Sequence, residues 1–361
     1  AKITVIHHPG AGCYGHNGAD DAAFDAVLMA RALPGKLIKV VWSRQDEFRA
    51  APMGPGMVTR IEAILGKDGR ITQMSIDVNS APHANRPSVN GTPNLRAAAY
   101  LAKPISPAPS TDLPLSRGGG AERNAVPGYD IPNIQVQKRL VFLPYRTSSL
   151  RALGAFTNIF AIETLMDDIA VDCGQDPIAF RLAHLSDPRA RAVIEKVVAA
   201  SKIPRELKKM DGVGWGFSYA RYKNTSGYCA IYAQVNLQDT VRVTNVYAAI
   251  DIGEVISQDG ARNQIEGGIV QATSWTLKES VLFSGSTVQA ETWLDYPILR
   301  FSEVPRVFID VIDRPDLPPL GCGEVSQAPT VAAIGNAVRD ALGVRVRKLP
   351  ITRQSIIDAA L

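Results

Sequence analysis

Between residues 155 and 250 helices come in one block and strands in the next, and no other feature narrows the possible folds as much. Apolar residues recur at helical spacing over 155–173, 177–184 and 189–201. Three strand-like runs follow, at 212–222, 227–237 and 242–250, and the last two read as a hairpin about Gln238-Asp239. An alternating strand–helix rhythm would predict a parallel, doubly wound sheet. Segregated blocks predict an α+β fold with mixed sheets.

The flanks of this region continue the pattern. Residues 3–6 read as a short strand running into the glycine-rich loop Pro9–Gly15, and Asp20–Leu33 reads as a helix closed by Pro34-Gly35. Lys36–Trp42 reads as a buried strand, and Ser43–Glu47 as a polar turn. Val58–Leu65 and Arg70–Val78 flank Lys67-Asp68-Gly69, a hairpin signal. Residues 80–128 are rich in Pro, Gly, Asn and Ser, with Pro104–Pro109 resembling a linker. A connection of that length in a compact domain is usually functional or disordered. Strand character resumes over Tyr129–Phe142. A glycine-bearing helix is expected over Asn263–Leu277 and a strand over Val307–Ile312.

Composition removes several function classes. The 361 residues are 46% hydrophobic and 20% charged, enough for a sizeable core and two domains. The net charge of +4 is spread out, with no basic run dense enough for a nucleic-acid patch. Cys13, Cys173, Cys229 and Cys322 are far apart and form no Cys-x-x-Cys, which argues against an iron–sulfur or zinc site built from this chain alone. They read as free thiols, with disulfides left open. No apolar run is long enough to span a bilayer, and the opening Ala-Lys-Ile-Thr-Val-Ile reads as a strand and not as a signal peptide.

The chemistry points to Pro318–Glu324, which ends Gly321-Cys322-Gly323-Glu324 and precedes an Ala-rich helical run from Pro329 to Leu342. Glycines allow close approach of a backbone or a cofactor. A helix N-terminus beyond them favours negative charge. Taken alone, a glutamate in such a turn is more often exposed or capping than catalytic.

Four segments together resemble the molybdenum-binding subunit of the xanthine dehydrogenase/aldehyde oxidase family, most of all the branch of isoquinoline 1-oxidoreductase and nicotinate dehydrogenase. Gly10-Ala11-Gly12-Cys13-Tyr14-Gly15 matches a Gly-Gly-x-Phe-Gly loop, with Tyr14 in the aromatic place. Leu150-Arg151-Ala152-Leu153-Gly154 matches Phe-Arg-Gly-x-Gly and is followed by Ala161-Ile162-Glu163, Asp167 and Asp176-Pro177…Arg181. Asn263–Gly268 is the third segment. Gly321-x-Gly323-Glu324 with Ala332-Ala333-Ile334-x-Asn336-Ala337-Val338 is the fourth. The resemblance covers essentially the whole chain.

The resemblance implies a molybdopterin-dependent hydroxylase, with the metal held by the dithiolene of a molybdopterin cytosine dinucleotide and by no side chain. It would hydroxylate an electron-poor carbon, with water as oxygen source. N-heteroaromatics attacked beside the ring nitrogen are favoured; aldehyde oxidation by the same chemistry, and a non-catalytic cofactor-binding half, are the alternatives. Glu324 would be the catalytic base. Gly12, Cys13, Tyr14, Gly15, Arg151, Gln264 and Gly323 would contact the cofactor. The implied fold is α+β, two elongated mixed-sheet domains of the hydroxylase large subunit. Residues 1–145 would form the C-terminal part of a first molybdopterin-binding domain, and 146–361 a second one carrying Glu324.

One departure shapes the partner expectation. The family's Glu-x-Gly-Gln-Gly type cofactor loop is absent from the sequence. The chain therefore reads as the C-terminal half of the subunit, with the N-terminal half on another polypeptide. Iron–sulfur clusters or haem are expected on partner chains only.

Each site residue also has a plainer reading. Gly12–Gly15 could be a tight turn, although a dinucleotide fingerprint is disfavoured because no clear βαβ unit follows. Arg151 could be a salt-bridged surface residue, or bind an oxyanion through its planar fork. Gln264 sits before glycines that could serve close helix packing. Cys322 reads better as a small filler of a crowded turn than as a reactive thiol. His7 and His8 would point to opposite faces of a strand, which argues against a metal site with His16; His16 could touch substrate or cofactor. Trp215 and Trp275 read as core.

Overall fold

A computed structural model describes residues 2–8, 10, 12–16, 18–84, 94–106, 111–202, 212–237, 239–285 and 287–361. Two sheets organise it. In the first, β1 (Met57–Leu65) and β2 (Ile71–Ser80) form the expected antiparallel hairpin, and β3 (Asn133–Leu140) joins β2 in parallel. Gly69 turns the hairpin with φ +77°, a conformation open to glycine at little cost. Met74, Ile76 and Val78 alternate into the core, as a half-buried strand requires.

The second sheet has the order β4-β5-β6-β9. Strands β4 (Val213–Arg221), β5 (Tyr228–Leu237) and β6 (Val241–Asp251) are antiparallel, and β9 (Arg306–Ile312) lies parallel to β6. The small pair β7 (Phe283–Ser284) and β8 (Thr287–Val288) stands apart. The helices are α1 (Ala19–Ala32), α2 (Arg44–Ala50), α3 (Ala155–Asp172), α4 (Pro177–Ala183), α5 (Pro188–Ser201), α6 (Gln258–Leu277), α7 (Gln327–Leu342) and α8 (Arg353–Ala360).

Helix α7 is the structural centre, buried without a break from Gln327 to Val338. It lies directly on β4 because Gly214 and Gly216 carry no side chain there. A Cβ at Gly216 would come within 2.1 Å of the Ala333 carbonyl and 2.2 Å of the Ala337 nitrogen. Helix α3 packs against both α7 and β1 and so ties the two sheets together. One continuous apolar cluster runs from Met74 and Ile76 through Ile162 and Met166 to Ile231 and Ile334.

A buried polar knot locks this arrangement. Glu163 on α3 accepts from Tyr129 Oη (2.6 Å), Arg181 Nε (2.9 Å) and the Tyr219 backbone N–H (2.9 Å). Burial alone would push the Arg181 guanidinium down, but Glu163 beside it raises it. Asn336 of α7 donates to the carbonyls of Phe217 (2.8 Å) and Glu163 (3.3 Å). The Ala-Ile-x-Asn-Ala run is thus a joint between helix and sheet.

Four local readings are corrected. Residues 2–8 and 36–42 are extended but lie in no ladder among the described residues, and they are not buried: Ile6 is 70% exposed, Leu37 98% and Val41 74%. Their apolar pattern is that of strands, and the structure gives them no partner strand. Ser43–Glu47 is not a turn; Ser43 caps α2 and Asp46 returns the bond in a capping box. Helix α6 starts five residues earlier than expected, capped by Ser257, and α8 was not foreseen. Residues 107–110 of the proline-rich segment, and Gln238 of the hairpin turn, lie outside the described residues. No helix among the described residues is long and apolar enough to cross a membrane.

Candidate active site

The loop from Gly321 to Ser326 leads from the β9 side of the sheet to α7. Gly321 has φ +73°. A Cβ at Gly321 or Gly323 would meet nothing within 4 Å, whereas Cys322 between them is partly buried against the core. Burial pushes the Cys322 thiol up, and Arg151 partly opposes this.

Glu324 is half-buried and held at both oxygens. Oε1 accepts the backbone N–H of Ala152 (3.0 Å), and Oε2 accepts the Tyr222 hydroxyl (2.8 Å). Ala152 and Leu153 have φ +76° and +50°, a left-handed pair that costs a non-glycine backbone about a kcal/mol or more per residue. That bend aims the Ala152 N–H at the carboxylate. Gly154 follows because its backbone touches the next segment: a Cβ would lie 2.2 Å from the Ala121 carbonyl.

Arg151 gathers the other expected residues. Its Nε donates to the Gly323 carbonyl (2.6 Å), Nη1 to Gln271 Oε1 (3.3 Å), and Nη2 to the carbonyl and Oε1 of Gln264 (3.0 and 3.2 Å). With its carbonyl turned towards Arg151, the Gln327 amide accepts from Nη1 at 3.0 Å. Burial pushes the guanidinium down, while Glu324, Tyr14 and Cys322 push it up. Arg151 is therefore not a surface salt-bridge residue. Its own N–H donates to the Tyr14 carbonyl (2.7 Å), and Gly15 bridges Leu150. At Gly15 a Cβ would lie 2.1 Å from the Ser149 carbonyl, which explains a glycine at this position.

The structure thus brings Gly15, Tyr14, Arg151, Gln264, Gly323 and Glu324 into one connected cluster. Gly12, Cys13 and Tyr14 line an adjoining cavity of about 1350 Å³, together with Asn263, Gly267 and Gln271 of α6. A second cavity of about 360 Å³ is walled by Tyr145, Phe156, Trp275 and Phe283, with Arg151 and Glu279 as polar members. Trp275 and Glu279 line both, so Trp275 is a wall residue and not core. Burial pushes the Glu279 carboxyl up, against hydrogen bonds with Ser274 and Tyr296. Glu324 lies on the wall of neither cavity; Arg151 connects it to the smaller one.

His16 is buried, with both ring nitrogens engaged by Ser148 Oγ (2.8 Å) and Asp20. His7 and His8 are exposed on the large cavity. No group of three or more His, Cys, Asp or Glu suited to a metal ion occurs among the described residues. Sequence reasoning missed Tyr222, Arg123, Gln271 and Gln327. Only Gln327, three residues after Glu324, carried a local signal.

The sequence places the chain among molybdopterin cofactor-binding proteins. Residues 118–185 and 188–305 each match a molybdopterin cofactor-binding domain. The chain belongs to this family. It is 34% identical to a nicotinate dehydrogenase component of Pseudomonas putida over 99% of its own length and 30% of that protein. It is 31% identical to the beta chain of isoquinoline 1-oxidoreductase of Brevundimonas diminuta over 97% of its length and 43% of that protein. The chain therefore spans less than half of either relative. Quinoline 2-oxidoreductase from Pseudomonas putida 86 has the same fold, with a TM-score of 0.75 at 14% identity, covering 96% of this chain and 67% of that one.

Proposed function

We propose that this chain carries the catalytic base and part of the cofactor cradle of a hydroxylase acting on N-heteroaromatic substrates beside the ring nitrogen. The carrying observation is that Glu324, held at both oxygens, shares one bonded cluster with Arg151, Gln264 and the Gly12–Gly15 loop. The names of the two relatives, nicotinate and isoquinoline enzymes, support the substrate class. So does the smaller cavity, whose flat aromatic walls suit a planar ring.

The residues present fit a molybdenum pterin. The large cavity has a polar rim of amides from Asn263 and Gln271, and Gly267 faces it with no atom within 4 Å of where a side chain would begin. Gly12, Cys13, Tyr14, Gly15, Arg151, Gln264 and Gly323 would hold the group, in our reading in its cytosine dinucleotide form. When bound, that group supplies oxygen transfer from water and carries two electrons away. The chain's own part is to orient the ring, exclude water from the apolar cavity and take up a proton at Glu324.

The remainder of the cradle would come from the rest of the subunit, with the domain division falling near 145/146. Electron-transfer centres would sit on partner chains. The exposed apolar segments 2–8 and 36–42 support a partner that supplies the missing strands.

The test is direct. The assembled protein is purified and its molybdenum and released nucleotide are measured; a stoichiometric amount of each, with cytosine as the base, is expected. Glu324→Gln should retain the metal and lose turnover by at least ~10²-fold. Near-normal turnover in that variant would remove the base assignment. A metal-free, nucleotide-free complex would remove the function.

A further inference from the structure

We infer that Arg123 and Tyr222 are positioning residues that hold Glu324 in one orientation, an assignment that rests on Glu324 being the base. The argument is one of donor inventory. A guanidinium has five N–H donors and no acceptor. Arg123 Nη1 lies 2.6 Å from Tyr222 Oη, so the arginine donates and the phenol oxygen accepts. The single phenolic hydrogen must then go elsewhere, and Glu324 Oε2 is at 2.8 Å. Because Oε1 already takes the Ala152 N–H, both carboxylate oxygens accept and neither donates. Each oxygen is thereby tied to a separate donor, which fixes the plane of the carboxyl group and leaves lone pairs free for a further partner.

The chain of contacts has little freedom to rearrange. Arg123 and Tyr222 are 3% and 5% exposed. Arg123 directs its other donors to the carbonyls of Gly118 (3.1 Å) and Arg117 (3.3 Å). Its own carbonyl is held by Asn158 of α3 at 3.0 Å. The neighbouring Asn124 donates to the Arg221 carbonyl (2.8 Å) and accepts from the Lys223 N–H (2.9 Å), so the loop is stitched to the segment that carries Tyr222. Burial pushes the Tyr222 phenol up, as does the Glu324 charge, so the hydroxyl keeps its proton and stays a donor. The other charged or titratable groups nearby are Arg151, reaching the Gly323 carbonyl beside Glu324, Cys322 and Tyr14 on the Arg151 side, and Lys223 over the Tyr222 ring.

The experiment uses Tyr222→Phe, which keeps the ring and deletes the donor, and Arg123→Gln, which keeps a hydrogen-bonding side chain and deletes the charge. In the assembled enzyme, Tyr222→Phe should lower kcat by about 10-fold or more with KM within about 2-fold, because the carboxylate loses its fixed orientation while no substrate contact is removed. In protein labelled with 13C at glutamate side-chain carboxyls, the Glu324 resonance is assigned by its absence in Glu324→Gln. That resonance should move in Tyr222→Phe, and in the same direction in Arg123→Gln, since each variant disturbs the directed donation to Oε2. An unmoved resonance in both folded variants overturns the assignment, as does an unchanged kcat in Tyr222→Phe. Failure of the base reading looks different: Glu324→Gln would then turn over normally, and the resonance measurement would still decide the coupling.

Discussion

At the scale of single residues, His83 shows how burial sets a pH limit. Its ring is 1% exposed, its Nε2 meets Ser80 Oγ at 3.2 Å, and its Nδ1 has no partner among the described residues. Burial pushes it down to about 4, against the pull of Asp112. Because the folded value lies below the unfolded one, the unfolded chain binds the extra proton between about pH 6.5 and 4, and stability falls as pH falls through that window. Denaturant titrations at pH 7 and pH 4.5 should show a loss of up to about 3 kcal/mol that His83→Asn removes; an equal loss in both proteins would show that another group is responsible. Glu324 and Arg151 were legible in the sequence because each sits in a short glycine-marked motif. Tyr222 and Arg123 were not, since Tyr222 meets Glu324 across 102 positions and Arg123 meets Tyr222 across 99, and no local pattern encodes such a contact.

Among the elements, the helical and strand periods of 155–251 predicted α3, α4, α5, β4, β5 and β6 to within a residue or two. These elements bury one face, and burial is what writes periodicity into a sequence. Segments 3–6 and 36–42 carried the same apolar signal but pair with no strand among the described residues, so pattern and structure part company. The glycines divide by what they face. Gly268 is packed, since a Cβ there would reach within 2.1 Å of Ser326 Oγ, whereas Gly267 opens on the large cavity. Gly267→Ala should therefore raise stability by up to about 1 kcal/mol through helix propensity, while lowering the molybdenum content of the purified protein. Stability by urea titration and metal by elemental analysis would separate the two effects; unchanged metal content would mean the cofactor does not approach this face.

For the molecule as a whole, segments 2–8 and 36–42 leave apolar side chains at the surface. Leu37→Asp with Val41→Asp should leave the thermal midpoint of the chain within about 2 °C, because surface substitutions of this kind seldom change stability by more than about half a kcal/mol. The same pair should abolish co-purification with the remainder of the subunit. Persistent association would place the partner elsewhere. The two-sheet α+β plan was legible from the order of helices and strands; the way α3 joins the sheets was not, because it depends on Glu163 meeting Tyr219, Tyr129 and Arg181 from separate parts of the chain.

Those long spans also order events in time. The carboxylate at position 324 is gripped by donors at 152 and 222, and the arginine at 151 by acceptors at 264, 271 and 323. None of these grips exists until segments more than a hundred positions apart in sequence have met. On the proposed function, cofactor loading would then follow folding of the polypeptide, and loading itself would report that these distant segments have come together.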